Sequence, residues 1–112
     1  MLFLLEEKDF NISSGVSVLY FYASWMMEHK KMSLMIDKIQ DKYKDIKFLA
    51  IDCDHFKNIC TRNEVSSIPC FIIFINNKEE KRLNGIILTS AFKSIFADIY
   101  SKYKNGDKND KK

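Results

Sequence analysis

The chain is 112 residues long, 46% hydrophobic and 29% charged, with a formal net charge of +3, which suits one globular domain with an adequate core. Four lysines and two aspartates fall in residues 104–112, leaving +1 for the remainder, a balance that argues against a nucleic-acid surface. The three cysteines, Cys53, Cys60 and Cys70, are odd in number and include no CxxC pair, so they do not read as a secreted disulfide framework; they are expected as thiols in a reducing compartment, packed as small hydrophobes.

In chain order, Met1–Leu5 is apolar, but Glu6-Glu7-Lys8-Asp9 follows at once, too soon for a signal-peptide core and far short of a membrane span. A cytosolic or nuclear site and no membrane contact are expected. A short strand near Leu2 to Leu5 leads to a polar helix or turn through residue 15, and the apolar run Val16–Tyr22 reads as a buried central strand. Met32, Met35, Ile36, Ile39 and Tyr43 then recur at helical spacing, with Lys38, Asp41 and Lys42 on the wet side; such a methionine stripe reads as core packing. Ile46 to Asp52 gives a second buried strand, and Asp54 is placed to cap a short helix bearing Phe56, Ile59 and Cys60. Strand, helix and strand in that order predict a parallel, right-handed crossover.

After Pro69 a strand runs through Ile75, Asn76-Asn77 turns the chain, and Glu79 to Leu83 returns as a hairpin at a sheet edge. Thr89 or Ser90 opens a last helix carrying Phe92, Ile95, Phe96, Ile99 and Tyr103. The predicted architecture is α/β: a central mixed sheet flanked by helices on both faces, formed by residues 1–103. Residues 104–112 have nothing to bury and are expected to be a disordered charged tail or linker.

Three stretches carry a resemblance: Val16–Tyr22 running into Ala23-Ser24-Trp25, the helix opening Lys30-Lys31-Met32, and Val65-Ser66-Ser67-Ile68-Pro69-Cys70-Phe71-Ile72-Ile73-Phe74. Together, with the single tryptophan and the single proline at the family's interval, they resemble the thioredoxin superfamily over nearly the whole chain. The resemblance implies a thioredoxin fold with a cis Ile68–Pro69 bond, a form that X-Pro bonds adopt at modest cost. Where that family carries Trp-Cys-Gly-Pro-Cys, this chain reads Trp25-Met26-Met27-Glu28-His29. Met26 thus stands at the attacking cysteine and His29 at the resolving one, while Tyr20 stands where the family buries an aspartate. Dithiol exchange needs an activated thiolate and a second, resolving thiol, so the turn is expected to be a degenerate active site without catalytic residues.

Within the superfamily, Trp25-Met26-Met27-Glu28-His29-Lys30-Lys31-Met32 and Arg82-Leu83-Asn84-Gly85 are similar to the N-terminal thioredoxin-like domain of multidomain monothiol glutaredoxins. That resemblance implies a role in redox or iron–sulfur homeostasis. The glutathione-ligated cluster of those proteins belongs to glutaredoxin domains not found in these residues, so no cofactor is expected in this chain; glutathione or an iron–sulfur cluster enters only with an attached glutaredoxin domain.

His29 at a helix start reads either as a metal ligand or base or as a solvated, hydrogen-bonded residue beside a positive helix end. Cys53-Asp54-His55 has a ligand-like look but no second pair to complete a tetrahedral metal site, and no metal is expected. Cys70 reads either as the nucleophile of a one-cysteine enzyme or as a buried residue opening a strand. The expected function is a monomeric, redox-inactive interaction module for protein partners, using a groove of Trp25, Met26, Met27, His29, Ile68 and Pro69 with backbone pairing at Ile68. The alternative is a monothiol thiol–disulfide oxidoreductase using Cys70, with glutathione as a candidate co-substrate.

Overall fold

Seven consecutive buried residues, Val16–Tyr22, form the central strand β2, and everything that places the site hangs from it. The structure, a computed structural model, describes residues 1–12 and 14–109, with side chains through Asn105. The chain order is β1 (Leu2–Phe3), a 3₁₀ turn (Glu7–Asp9), β2, α1 (His29–Lys42), β3 (Lys47–Asp52), α2 (Lys57–Arg62), β4 (Cys70–Ile75), β5 (Lys78–Asn84) and α3 (Thr89–Asn109). The five strands make one mixed sheet in the order β1-β3-β2-β4-β5. β3 pairs parallel to both β1 and β2, whereas β4 runs antiparallel to β2 and β5.

The pleat sends alternate residues of the central strands to opposite faces. Val18, Tyr20, Phe48, Phe71 and Ile73 meet Met32, Met35, Ile36 and Ile39 of α1 and Phe92, Phe96 and Ile99 of α3. Leu19, Phe21, Leu49, Ile51, Cys70 and Ile72 meet Phe56, Ile59 and Cys60 around α2. Both faces are therefore covered, and continuous apolar runs replace the alternation of a half-exposed sheet. The β4–β5 connection is the expected Asn76-Asn77 turn; both residues have positive φ, 49° and 70°, the left-handed conformation that a tight hairpin turn needs.

Two boundaries differ from those read in the sequence. The last helix does not stop at Tyr103 but runs through Asn109, where a tail was expected from residue 104. A helix already nucleated extends at little cost, and Lys104 Nζ reaches the Asp45 carboxylate at 3.4 Å; residues 110–112 of that expected tail lie outside the described residues. Asp54 does not cap α2. Phe56 holds the N-cap position without a side-chain bond, because the Asp54 carboxylate is engaged elsewhere.

Candidate functional site

β2 ends at Tyr22, and the chain turns through Ala23–Glu28 before α1 begins. Backbone bonds from Met26 N–H to Ala23 C=O (3.0 Å) and from His29 N–H to Met26 C=O (3.3 Å) fix that turn. It points successive side chains in opposite directions. Trp25 and Met27 are 69% and 92% exposed, but Met26 is only 9% exposed and joins the core beneath α1 and α3. Met26 therefore packs the scaffold, while Trp25 and Met27 face outward. The Trp25 indole Nε1–H donates to the Asp54 carboxylate at 2.7 Å, which is where the predicted helix cap has gone.

Opposite this turn lies the segment before β4. The Ile68–Pro69 peptide is cis, and the Pro69 carbonyl accepts the Gly85 N–H at 2.8 Å. Gly85 sits at φ +91°, a conformation a side chain rarely tolerates. Between the two walls is a groove of about 390 Å³, with Trp25, Met26, Met27 and Glu28 on one side and Ile68, Pro69, Gly85 and Ile86 on the other. Sequence reasoning placed five of these eight in the groove; Glu28, Gly85 and Ile86 were missed. His29, expected there, lies outside the lining.

His29 instead faces inward. Its ring stacks on Tyr22 at 4.2 Å and 5°, Phe3 stands edge-on to it, and its Nδ1 lies 3.1 Å from the Tyr20 hydroxyl. Burial holds the imidazole below its ordinary pKa, with the Asp52 charge acting weakly the other way. Burial, aided by Tyr22, pushes the Tyr20 phenol far above its ordinary value, so Tyr20 stays protonated within hydrogen-bond reach of Nδ1. Tyr20 and His29 thus form a hydrogen-bonded pair under the start of α1.

The cysteines overturn the expectation of three thiols. Cys53 and Cys60 form a disulfide with Cα atoms 6.0 Å apart. Cys53 follows the end of β3, the chain folds back through Asp54–Phe56, and Cys60 returns in the last turn of α2. A search for CxxC misses such a pair, because spacing alone does not tell whether a turn and a short helix bring two residues within disulfide range. Within the ligand-like Cys53-Asp54-His55, the Cys53 sulfur is engaged in this bond. Cys53 is half-buried and Cys60 buried. The disulfide loop is tied to the end of β2 by the Cys53 N–H to Tyr22 C=O bond at 2.8 Å and to the groove wall by the Trp25–Asp54 bond. Cys70 is fully buried; burial pushes its thiol up, with Arg82 opposing and Glu79 adding, the condition of an unreactive thiol.

Residues 5–98 match the thioredoxin family. Thioredoxin-1 of Saccharomyces cerevisiae is 34% identical over 68 residues, covering 61% of this chain and 66% of that protein. Monothiol glutaredoxin-4 of the same yeast is 30% identical over 77 residues, 67% of this chain but 32% of that protein. The chain thus spans just under two thirds of the first and about a third of the second. Among solved structures, thioredoxin O2 from Arabidopsis thaliana in the oxidized state superposes with a TM-score of 0.72 at 26% identity, covering 78% of this chain and 76% of that one. A thioredoxin therefore matches more strongly than a glutaredoxin, which corrects the branch that the sequence motifs suggested.

Proposed function

Since this chain belongs to the thioredoxin family, we propose that it is a thiol–disulfide exchange protein for protein substrates, with Cys53 and Cys60 as its redox pair in place of the cysteine-free turn after Trp25. The observation that carries this reading is the Cys53–Cys60 disulfide, which displaces the redox-inactive module expected from the turn. The pair is asymmetric in access, as exchange requires: an incoming thiolate meets the half-buried Cys53 sulfur before the buried Cys60 sulfur.

In the exchange, a substrate thiolate attacks Cys53 Sγ and forms a mixed disulfide. The Cys53–Cys60 bond breaks, and its electron pair leaves on Cys60, which takes up a proton. A second substrate thiolate then attacks the substrate sulfur of the mixed disulfide and releases Cys53. The substrate leaves oxidised by two electrons, and the pair remains as two thiols; the reverse sequence reduces a substrate disulfide. The groove beside Ile68 supplies the surface along which an extended substrate lies. The thiol chemistry of the alternative reading is kept, but the buried Cys70 is a spectator in it.

Trapping tests this directly. Cys60→Ser leaves Cys53 without its resolving partner, so incubation with a disulfide-bonded protein such as insulin should accumulate a mixed disulfide on Cys53, located by mass spectrometry after digestion. Cys53→Ser should trap nothing, and Cys70→Ser should exchange like the parent. Adducts on Cys70, or none in the Cys60→Ser protein, would refute the assignment.

A further inference from the structure

The groove beside the cis-proline is apolar on almost every side, with Trp25, Met27, Ile68 and Ile86 in its walls; Glu28 is the one ionisable side chain in the lining. That side chain is half-buried. Although Glu28 occupies the N-cap position of α1, its carboxylate caps no helix N–H, and it forms no ion pair among the described residues. Lys30 and Lys31, the nearest cations in sequence, are exposed and outside the lining. A carboxylate with no cation beside it leaves its acceptor oxygens free for an incoming cation of matched hydrogen-bond geometry. Trp25 lines the same space, its indole anchored to Asp54. A carboxylate next to an aromatic ring favours guanidinium over ammonium, because the planar ion stacks on the ring and pairs with the acid together.

We infer that the groove selects extended protein segments in which an arginine stands among apolar residues, the guanidinium pairing with Glu28 over Trp25 while neighbouring side chains rest on Met27 and Ile86. This deepens the exchange reading by naming the substrate class of the same site, and it rests on that reading for the groove's role.

Trp25 is the only tryptophan in the chain, so its fluorescence reports occupancy without a label. The oxidised full chain is titrated with three cysteine-free peptides of the same apolar sequence carrying a central Arg, Gln or Glu. The Arg peptide should bind about tenfold more tightly than the Gln peptide, the Glu peptide should bind most weakly, and added salt should narrow the gap. Glu28→Gln should bring the Arg and Gln peptides level, and Glu28→Arg should invert the order, with far-UV circular dichroism confirming that both variants fold. Should a variant melt early, the parent's peptide order and its salt dependence still decide the outcome. Equal affinities, no binding of any peptide, or an Arg preference surviving in folded Glu28→Gln would overturn the inference. Because the peptides contain no cysteine, this result is independent of the trapping experiment, so failure of peptide selection and failure of exchange are told apart.

Discussion

The surroundings of His29 make it a packing residue with a pH signature. Its ring lies flat on Tyr22, and Nδ1 shares a hydrogen bond with the Tyr20 hydroxyl. A base whose pKa is lowered by folding binds its proton more weakly in the folded state than in the unfolded one. Its contribution to stability is therefore complete above the unfolded value of about 6.5 and is lost as the pH falls through the lowered folded value. The melting temperature should drop between about pH 7.5 and pH 5.5. His29→Phe, which keeps a ring over Tyr22 but cannot titrate, should flatten part of that drop; identical pH profiles for the two proteins would show that His29 is not the group responsible. Met26 carries a related lesson: a polar substitution there probes the core under α1, so it cannot serve as a test of binding at the groove.

At the scale of elements, α2 is the weak member. Six residues with no side-chain N-cap do not make a helix stable by itself in water, so its position depends on what holds it. Ile59 and Cys60 bury one face, and the disulfide fixes the helix to the end of β3. Arg82 of β5 donates to the carbonyls of Asn63 (2.8 Å) and Glu64 (3.1 Å) just beyond the helix. Arg82 is itself oriented by two bonds to the Glu79 carboxylate, at 2.9 and 2.8 Å, which hold that carboxyl below its ordinary pKa. Breaking a cross-link with a sequence separation of seven should cost about 2 kcal/mol through unfolded-chain entropy, a fall of roughly 10 °C in melting temperature for a domain of this size. Calorimetry with and without dithiothreitol measures it. Indistinguishable melting curves would mean that the cross-link adds nothing to the hold of the core and Arg82 on α2.

Over the whole molecule, one sheet serves two cores, and Ile68 packs against both of them. The groove at Ile68 is therefore tied to the packing on both faces of the sheet. Unfolding should consequently be a single cooperative event. Denaturant curves followed by far-UV circular dichroism, which reads the whole backbone, and by Trp25 fluorescence, which reads the groove, should coincide. A fluorescence midpoint well below the dichroism midpoint would show the groove opening before the domain does. Charge follows the same division of labour: the outer strand β5 carries Lys78, Glu79, Glu80, Lys81 and Arg82, a charged edge of the kind that discourages pairing with another chain.

The sequence by itself determined the strands and helices and their order, because their signals are local: the unbroken apolar run Val16–Tyr22, the helical recurrence from Met32 to Ile39, and Asn76-Asn77 between two strand patterns. It also determined that the turn after Trp25 lacks thiols, which is a matter of reading residues. What it did not determine are the relations between segments distant along the chain. That Cys53 and Cys60 meet depends on how a turn and a six-residue helix fold back on β3. That Met26 points inward while Met27 points out depends on the dihedral angles of one turn, and that Glu28 and Ile86 share a groove depends on β5 leading back beside the cis-proline. Each is a matter of distance in space between residues whose separation in sequence leaves that distance free, and the packing of two cores on one sheet removes that freedom.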